Sequence, residues 1–493
     1  MAEITTYQML VNGQWVDASD GKRYDSIDPA SGVVWATMAE ATEEDVNRAV
    51  AAAVAAGSTG PWAQMTPTER GKCLRRLGDL LADASEQLGR VETRDTGKIF
   101  KETRWQATYI AEYFHFYAGA ADKIEGSTLP IDKPDMFVFT NREPLGVVAA
   151  IVPWNSQMFL TAVKIGPALA AGNTVVLKGS ECSAAPILEF GKLIVEAGIP
   201  DGVVNIITGH GDPCGRALTS HPDVARVSFT GGPASAGHVI RNTAENFAEL
   251  SLELGGKSPF IVFDDADIDS AVNGSVAGIF AASGQSCVAG SRLYLHEAIA
   301  DRFLEKMTGI ANSIRIGDPQ EDDTQMGPLC TEAQIRHIEA QLARAVEQGA
   351  RIIAGGSRVS DLDGLFFQPT IIECPDPAMD IVDTELFGPV LAVLRFSDED
   401  DVVAQANRSV HGLAAGIFTR DSARSMRMAR RVRAGIVWVN TYRVISPIAE
   451  FGGSRQSGYG REAGMQAVYD YTRPKTVWVN LSDTPIANPF EPR

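Results

Sequence analysis

No apolar stretch of this chain reaches the roughly 18 residues that a membrane-spanning helix needs. The opening segment MAEITTYQML is acidic and has neither a basic start nor an apolar core, so no secretory signal is expected. Cysteine is scarce: the six (Cys73, Cys182, Cys214, Cys287, Cys330 and Cys374) show no CxxC and no metal-ligand spacing. The seven histidines do not gather with cysteines or carboxylates either, so no metal site is expected. A large chain without an export signal is expected to keep its thiols reduced, in the cytoplasm. Positive charge is short as well. With 44 Lys and Arg against 62 Asp and Glu the net charge is −18, which repels phosphates and argues against nucleic acid or an anionic membrane surface as partner.

What is there is an ordinary globular composition, 45% hydrophobic and 22% charged, in 493 residues. That length is too great for one core. Residues 40 to 90 read as two amphipathic helices, EEDVNRAVAAAVAAG and TERGKCLRRLGDLLADASEQLGRVE. From 146 to 262 short apolar runs (GVVAAIVP, NTVVLKG, VVNIITG, VARVSFTG, LSLELGG) alternate with helical segments. That pattern implies a parallel sheet covered on both faces. A second α/β run begins after Gly256, with SPFIVF, RLYLH, LAVLRF and GIVWVN as strands. The expected architecture is therefore α/β, with two doubly wound lobes. The proline-interrupted 123–144 and the tail from 470 fit neither lobe and read as extended arms, either for pairing with another subunit or as ordinary edge strands.

In a doubly wound sheet, ligands gather at the carboxyl ends of strands. Four loop signals fall there: VPWN (152–155), VLKGSE (176–181), SFTGG (228–232) and LELGGK (252–257). The first βα turn lacks G-x-G-x-x-G, so FTGG opening a helix is the better phosphate cradle, although a Gly-Gly pair by itself is only a turn. Glu181, close after Lys178, suits ribose hydroxyls or simply solvent. Glu253 ends an apolar strand before two glycines and suits a general base or a rim charge. Asn155 suits an oxyanion donor or a helix cap. Cys287, within GQSCVAGSR, has no bulky neighbour to bury its sulfur, which sets it apart from a packing cysteine.

Taken in order, PWN (153–155), LELGGKSP (252–259), GQSC (284–287), ELFGPV (385–390) and FGGSRQSGYGRE (451–462) resemble the NAD(P)-dependent aldehyde dehydrogenase superfamily, of the non-phosphorylating, hydrolytic type, from about residue 8 to 480. The resemblance implies an NAD-binding Rossmann-like domain over 1–122 and 145–256, a catalytic domain over 257–455, and a small β oligomerisation arm from 123–144 and 470–493. It implies Cys287 as nucleophile, Asn155 as oxyanion donor, Glu253 as general base and Lys164 close by. Trp154, Lys178, Glu181, Gly231, Leu254, Glu385 and Phe387 match cofactor positions. A carboxylate at 181 repels a 2′-phosphate, so NAD is favoured over NADP. A small-molecule aldehyde and a homodimer or homotetramer are the implied partners, with no membrane and no nucleic acid.

The chain departs from the common pattern where an aromatic usually follows PWN: Ser156 and Gln157 stand there. Removing that aromatic wall makes room for a bulkier aldehyde, aromatic or cyclic. Ser156, Met158, Tyr442, Arg443, Ile445 and Phe451 are the expected tunnel residues, and Arg443 is a candidate partner for a substrate carboxylate. Two rivals differ in outcome. A CoA-acylating semialdehyde dehydrogenase would not need Glu253, and an inactive scaffold relative would not need Cys287, Asn155 and Glu253 together.

Overall fold

The structure, a computed structural model, describes residues 4–490. Residues 1–3 of the expected cofactor domain and 491–493 of the expected arm lie outside it. The chain begins with a three-stranded sheet, Thr5–Tyr7 beside Val33–Ala39 beside Arg23–Asp28. Four helices follow where two were expected. Helix Glu43–Ser58 starts in a capping box, Thr42 accepting from the Asp45 N–H while Asp45 reaches back to the cap. Its alanine and valine face (Val46, Ala49, Val50, Ala53) is buried. The short Pro61–Gln64 comes next, and Pro67–Asp83 repeats the device with Thr66 and Glu69.

The expected second helix breaks at Ala84, with φ −87° and ψ 5°, and resumes as Ser85–Thr96. The bend lets both halves pack on Phe100–Ala120, a helix that periodicity does not reveal because its aromatics occupy several faces. Approach is close enough that a Cβ on Gly89 would lie 2.9 Å from the Arg104 backbone.

The first large sheet has eight strands, in the order Gly458–Tyr459, Glu249–Leu254, Val224–Gly231, Val147–Ile151, Thr174–Lys178, Val204–Ile207, Met9–Val11, Gln14–Val16. The inner five are parallel and the outer ones antiparallel. The chain moves outward from Val147–Ile151 in both directions, so the strand order reverses there, which is where a doubly wound sheet opens a crevice. The second sheet runs Arg351–Ala354, Thr370–Glu373, Val390–Phe396, Arg292–His296, Pro259–Val262, Ala414–Phe418, Ile436–Val439, parallel except at its first edge. Buried apolar clusters cover both faces of each sheet. The expected pair of α/β lobes is present.

The two arm segments meet. Met136–Pro144 and Thr472–Asn480 form a two-stranded antiparallel ribbon whose Phe137, Trp478 and Val479 are exposed. Among the described residues no helix is long and apolar enough to cross a membrane. All six cysteines are free thiols.

Candidate active site

A cavity of about 830 Å³ is lined by carboxyl-end loops of the first sheet and by the segment leading into the strand Arg292–His296 of the second. Asn155 follows the central strand, Gly231 ends its neighbour, and Glu253 is next to last in the strand beyond. Parallel register sets Thr230 beside Glu253 and Gly231 beside Leu254. Cys287 reaches the cavity from the other side, half-buried, with Val288 anchored against Leu413, Ala414 and Trp438.

The backbone ahead of the cysteine is strained: Ala282 and Ser283 take φ of 52° and 54°, which a residue with a Cβ rarely adopts. Its surroundings hold it there. The Ala282 N–H donates to both oxygens of Glu102 at 3.0 and 3.1 Å, and Ser283 Oγ donates to the Gly327 carbonyl at 2.8 Å. Gln285 Oε1 accepts from the Cys330 N–H at 2.8 Å, and Asn155 Nδ2 donates to the Gln285 carbonyl at 3.0 Å. That last bond ties the loop of one sheet to the cysteine loop of the other.

Glu253 is only 3% exposed, and neither carboxylate oxygen has a hydrogen-bond partner among the described residues. Burial holds its pKa well above the usual carboxylate range; Glu462 beside it pushes the same way, while Lys164 and Arg461 oppose. Burial also pushes the Cys287 thiol up to about 12, with Glu385 and Glu253 adding and Arg443 opposing. A carboxyl group and a thiol thus share one enclosed space, both held toward their protonated forms by burial.

One side of the cavity is formed by glycines, an acid and two aromatic rings. The Glu385 carboxylate accepts from the Gly256 N–H at 2.9 Å, and burial raises it to about 7. A Cβ on Gly255 would sit 1.8 Å from Glu385 Oε2, so the acid rests where it does because 255 has no side chain. The rings of Trp154 and Phe387 meet edge-on at 5.5 Å. Gly231 and Gly232 open the helix Pro233–Thr243, whose first N–H groups carry no side-chain cap and are free for an anion. Thr230 Oγ1 is buried without a protein partner among the described residues.

Of the residues singled out in the sequence, Cys287, Glu253, Asn155, Trp154, Gly231, Leu254, Glu385 and Phe387 line this cavity, as do Ser156, Arg443, Ile445 and Phe451. Five do not. Met158 is fully buried in the first-sheet core; the helix Gln157–Ala170 turns Phe159, Leu160 and Val163 to the cavity instead. Tyr442 packs on Phe260 and Trp438 and donates its hydroxyl to the Val288 carbonyl at 2.9 Å, behind the cysteine loop rather than in the tunnel. Lys164 is buried against Glu462 and donates to Ser228 Oγ at 3.1 Å. Lys178 donates to the Gly179 carbonyl at 2.9 Å, and the Cys214 thiol feels both it and Glu181, so the two share a neighbourhood outside the cavity. Glu462, not singled out beforehand, does line it; its signal lay in YGRE, the end of the last motif. Gln106 and Glu102, from the unforeseen helix Phe100–Ala120, line it too.

A family model described as "Aldehyde dehydrogenase family" matches residues 15–477. The chain belongs to the aldehyde dehydrogenase family. It is an NAD-dependent oxidoreductase acting on aldehydes. It is 54% identical to the (Z)-2-((N-methylformamido)methylene)-5-hydroxybutyrolactone dehydrogenase of Acinetobacter baylyi, over 98% of this chain and 99% of that one. Aldehyde dehydrogenase family 2 member B4, mitochondrial, of Arabidopsis thaliana is 42% identical, over 97% and 89%. Among solved structures, the NAD+ complex of an aldehyde dehydrogenase from Bacillus cereus superposes with a TM-score of 0.95 at 39% identity, covering 97% of each chain. PnpE from Pseudomonas sp. WBC-3 gives 0.95 at 41%, covering 99% and 100%. These two structures match this chain almost end to end.

Proposed function

We propose that this aldehyde dehydrogenase converts an aldehyde to its carboxylic acid through a covalent thioester on Cys287. The observation that carries this is the meeting of Cys287, Asn155 and Glu253 at one cavity, from both sheets. Cys287 Sγ, as the thiolate after its proton passes to solvent, attacks the carbonyl carbon, and the carbonyl oxygen becomes an alkoxide. Asn155 Nδ2 and the Cys287 N–H are the donors suited to that oxygen. Bound NAD supplies the acceptor for the hydride that leaves the same carbon, which turns the adduct into a thioester. Glu253 takes a proton from water, the water oxygen attacks the thioester, and the C–S bond breaks to release the acid and the Cys287 thiolate. Glu462, paired with Lys164 next to Glu253, is the group that would accept that proton onward.

The cofactor reading rests on residues that fit it. Gly231, Gly232 and the helix start behind them suit the pyrophosphate, Glu385 the nicotinamide ribose, Trp154, Leu254 and Phe387 the walls, and Lys178 with Glu181 the adenine ribose. Glu181 favours NAD over NADP. The division into a cofactor domain (1–122, 145–256), a catalytic domain (257–455) and a ribbon used in homo-oligomer contact (123–144, 470–493) is part of the proposal, as is a cytoplasmic site of action. Glu253 at the cavity favours hydrolysis over transfer to CoA.

For the substrate, Ser156 in place of an aromatic wall supports a bulky or cyclic aldehyde. The Acinetobacter relative's name, a hydroxybutyrolactone bearing a formamide, points the same way. The test is NADH formation from NAD and an aldehyde panel, repeated with NADP. Cys287→Ala is expected to lower kcat/KM by about a thousandfold or more. NADH formation that survives that change, or a preference for short linear aldehydes, refutes the respective part.

A further inference from the structure

Lys98, only 2% exposed, lies at 3.8 Å from buried Glu92 and is aimed at the cavity wall without reaching it. Its Nζ donates to Ser156 Oγ at 2.7 Å and to Gln106 Oε1 at 3.0 Å. A lysine head has N–H groups and, when charged, no acceptor, so it fixes the outlook of both partners. It draws the Gln106 amide oxygen inward, which turns the NH2 outward. It fills an acceptor site on Ser156, which leaves the O–H to point elsewhere. Neither the Ser156 O–H nor the Gln106 NH2 donates to any protein group among the described residues, and both residues line the cavity. Arg443 lines the same space and spends one N–H on the Ala277 carbonyl at 3.1 Å, keeping its other donors. Of the carboxylates that line the cavity, Glu102 is on the same helix as Gln106, and it already accepts the Ala282 N–H on both oxygens.

We propose that Ser156, Gln106 and Arg443 form a donor-only recognition site for an acceptor oxygen on the substrate's tail, with Lys98 as the positioning residue that makes it donor-only. The aldehyde taken then carries a second oxygen, a neutral carbonyl or a carboxylate, away from the reacting carbon. This rests on the cavity being an aldehyde site. Ser156 adjoins Asn155, so the second oxygen is read close to the oxyanion donor. A tail without an acceptor leaves these donors facing a dry group, and the penalty appears as discrimination.

The test uses matched aldehydes and the whole enzyme with NAD. One arm pairs a cyclic aldehyde bearing a ring lactone or lactam carbonyl with its carbocyclic counterpart. The other pairs an aldehyde acid with the isosteric aldehyde bearing an isopropyl group. The quantity read is the ratio of kcat/KM within each pair, which a general loss of activity does not move. The wild type is expected to prefer the oxygen-bearing member about tenfold or more in at least one arm. Ser156→Ala with Gln106→Leu brings the ratio to near one, and Ser156→Thr keeps it. Lys98→Met, made with Glu92→Gln so that no buried carboxylate is stranded, also lowers it. A preference confined to the charged arm and lost in Arg443→Gln assigns a carboxylate; one in the neutral arm that persists there assigns a carbonyl. Ratios near one in both arms, with NADH formed from every compound, overturn the proposal. NADH from none of them overturns the aldehyde reading itself and this proposal with it.

Discussion

Two buried lysine–glutamate pairs stand beside one cavity and serve it in opposite ways. In Lys164–Glu462 the acid itself lines the cavity, next to Glu253, while the lysine is hidden. In Lys98–Glu92 both charges are hidden, and the neutral Ser156 and Gln106 stand between the lysine and the substrate space. In the mechanism proposed above, the place where a proton travels presents its charge openly. In the recognition site proposed above, the Lys98–Glu92 charges stay behind the wall and aim the Ser156 and Gln106 donors, while Arg443 itself lines the cavity. The same residue pair therefore performs electrostatics at one place and orientation at the other.

The sharpest way to break this contrast is at Glu253. Glu253→Gln is expected to lower steady-state turnover by about a hundredfold or more while sparing a first burst of NADH, read by stopped flow. Because the Glu253 pKa is raised, its carboxylate form grows as pH rises, so hydrolysis-limited turnover climbs with pH and is lost as pH falls through that value. The variant flattens the profile. Next come the lysines. Lys164→Met and Lys98→Met each strand a buried carboxylate, and each is expected to cost about 3–5 kcal/mol in denaturant unfolding at pH 7. Only Lys164→Met should also move the pH midpoint of turnover upward, since Lys164 opposes the rise at Glu253. Equal shifts in both variants would erase the distinction. The smallest effect concerns Glu385. With its pKa raised to about 7, the accepting carboxylate is lost below that pH, so KM for NAD should rise a few-fold there and Glu385→Gln should remove the dependence.

The alternation of strands and helices after residue 146 was legible because buried parallel strands are short and apolar and their turns carry glycine. Cys287, Asn155 and Glu253 were legible because each sits in a short motif at a strand end or loop. The wall was not. Met158 and Phe159 are neighbours on a helix, about 100° apart around its axis, and the sequence does not say which one faces inward. Tyr442 lies in the right segment, yet its ring finds better packing behind the loop. The helix Phe100–Ala120 hides its register under aromatics on several faces, and with it Gln106. Lys98, in the loop before it, carries no local mark of its two long-range partners.

A Cβ added at Gly255 would fall on the Glu385 carboxylate, so a side chain gained there displaces the acid. A lineage that gains a side chain at 255 moves that acid off the Gly256 N–H from which it now accepts. The two positions, 130 residues apart on the chain, amount to a single heritable unit.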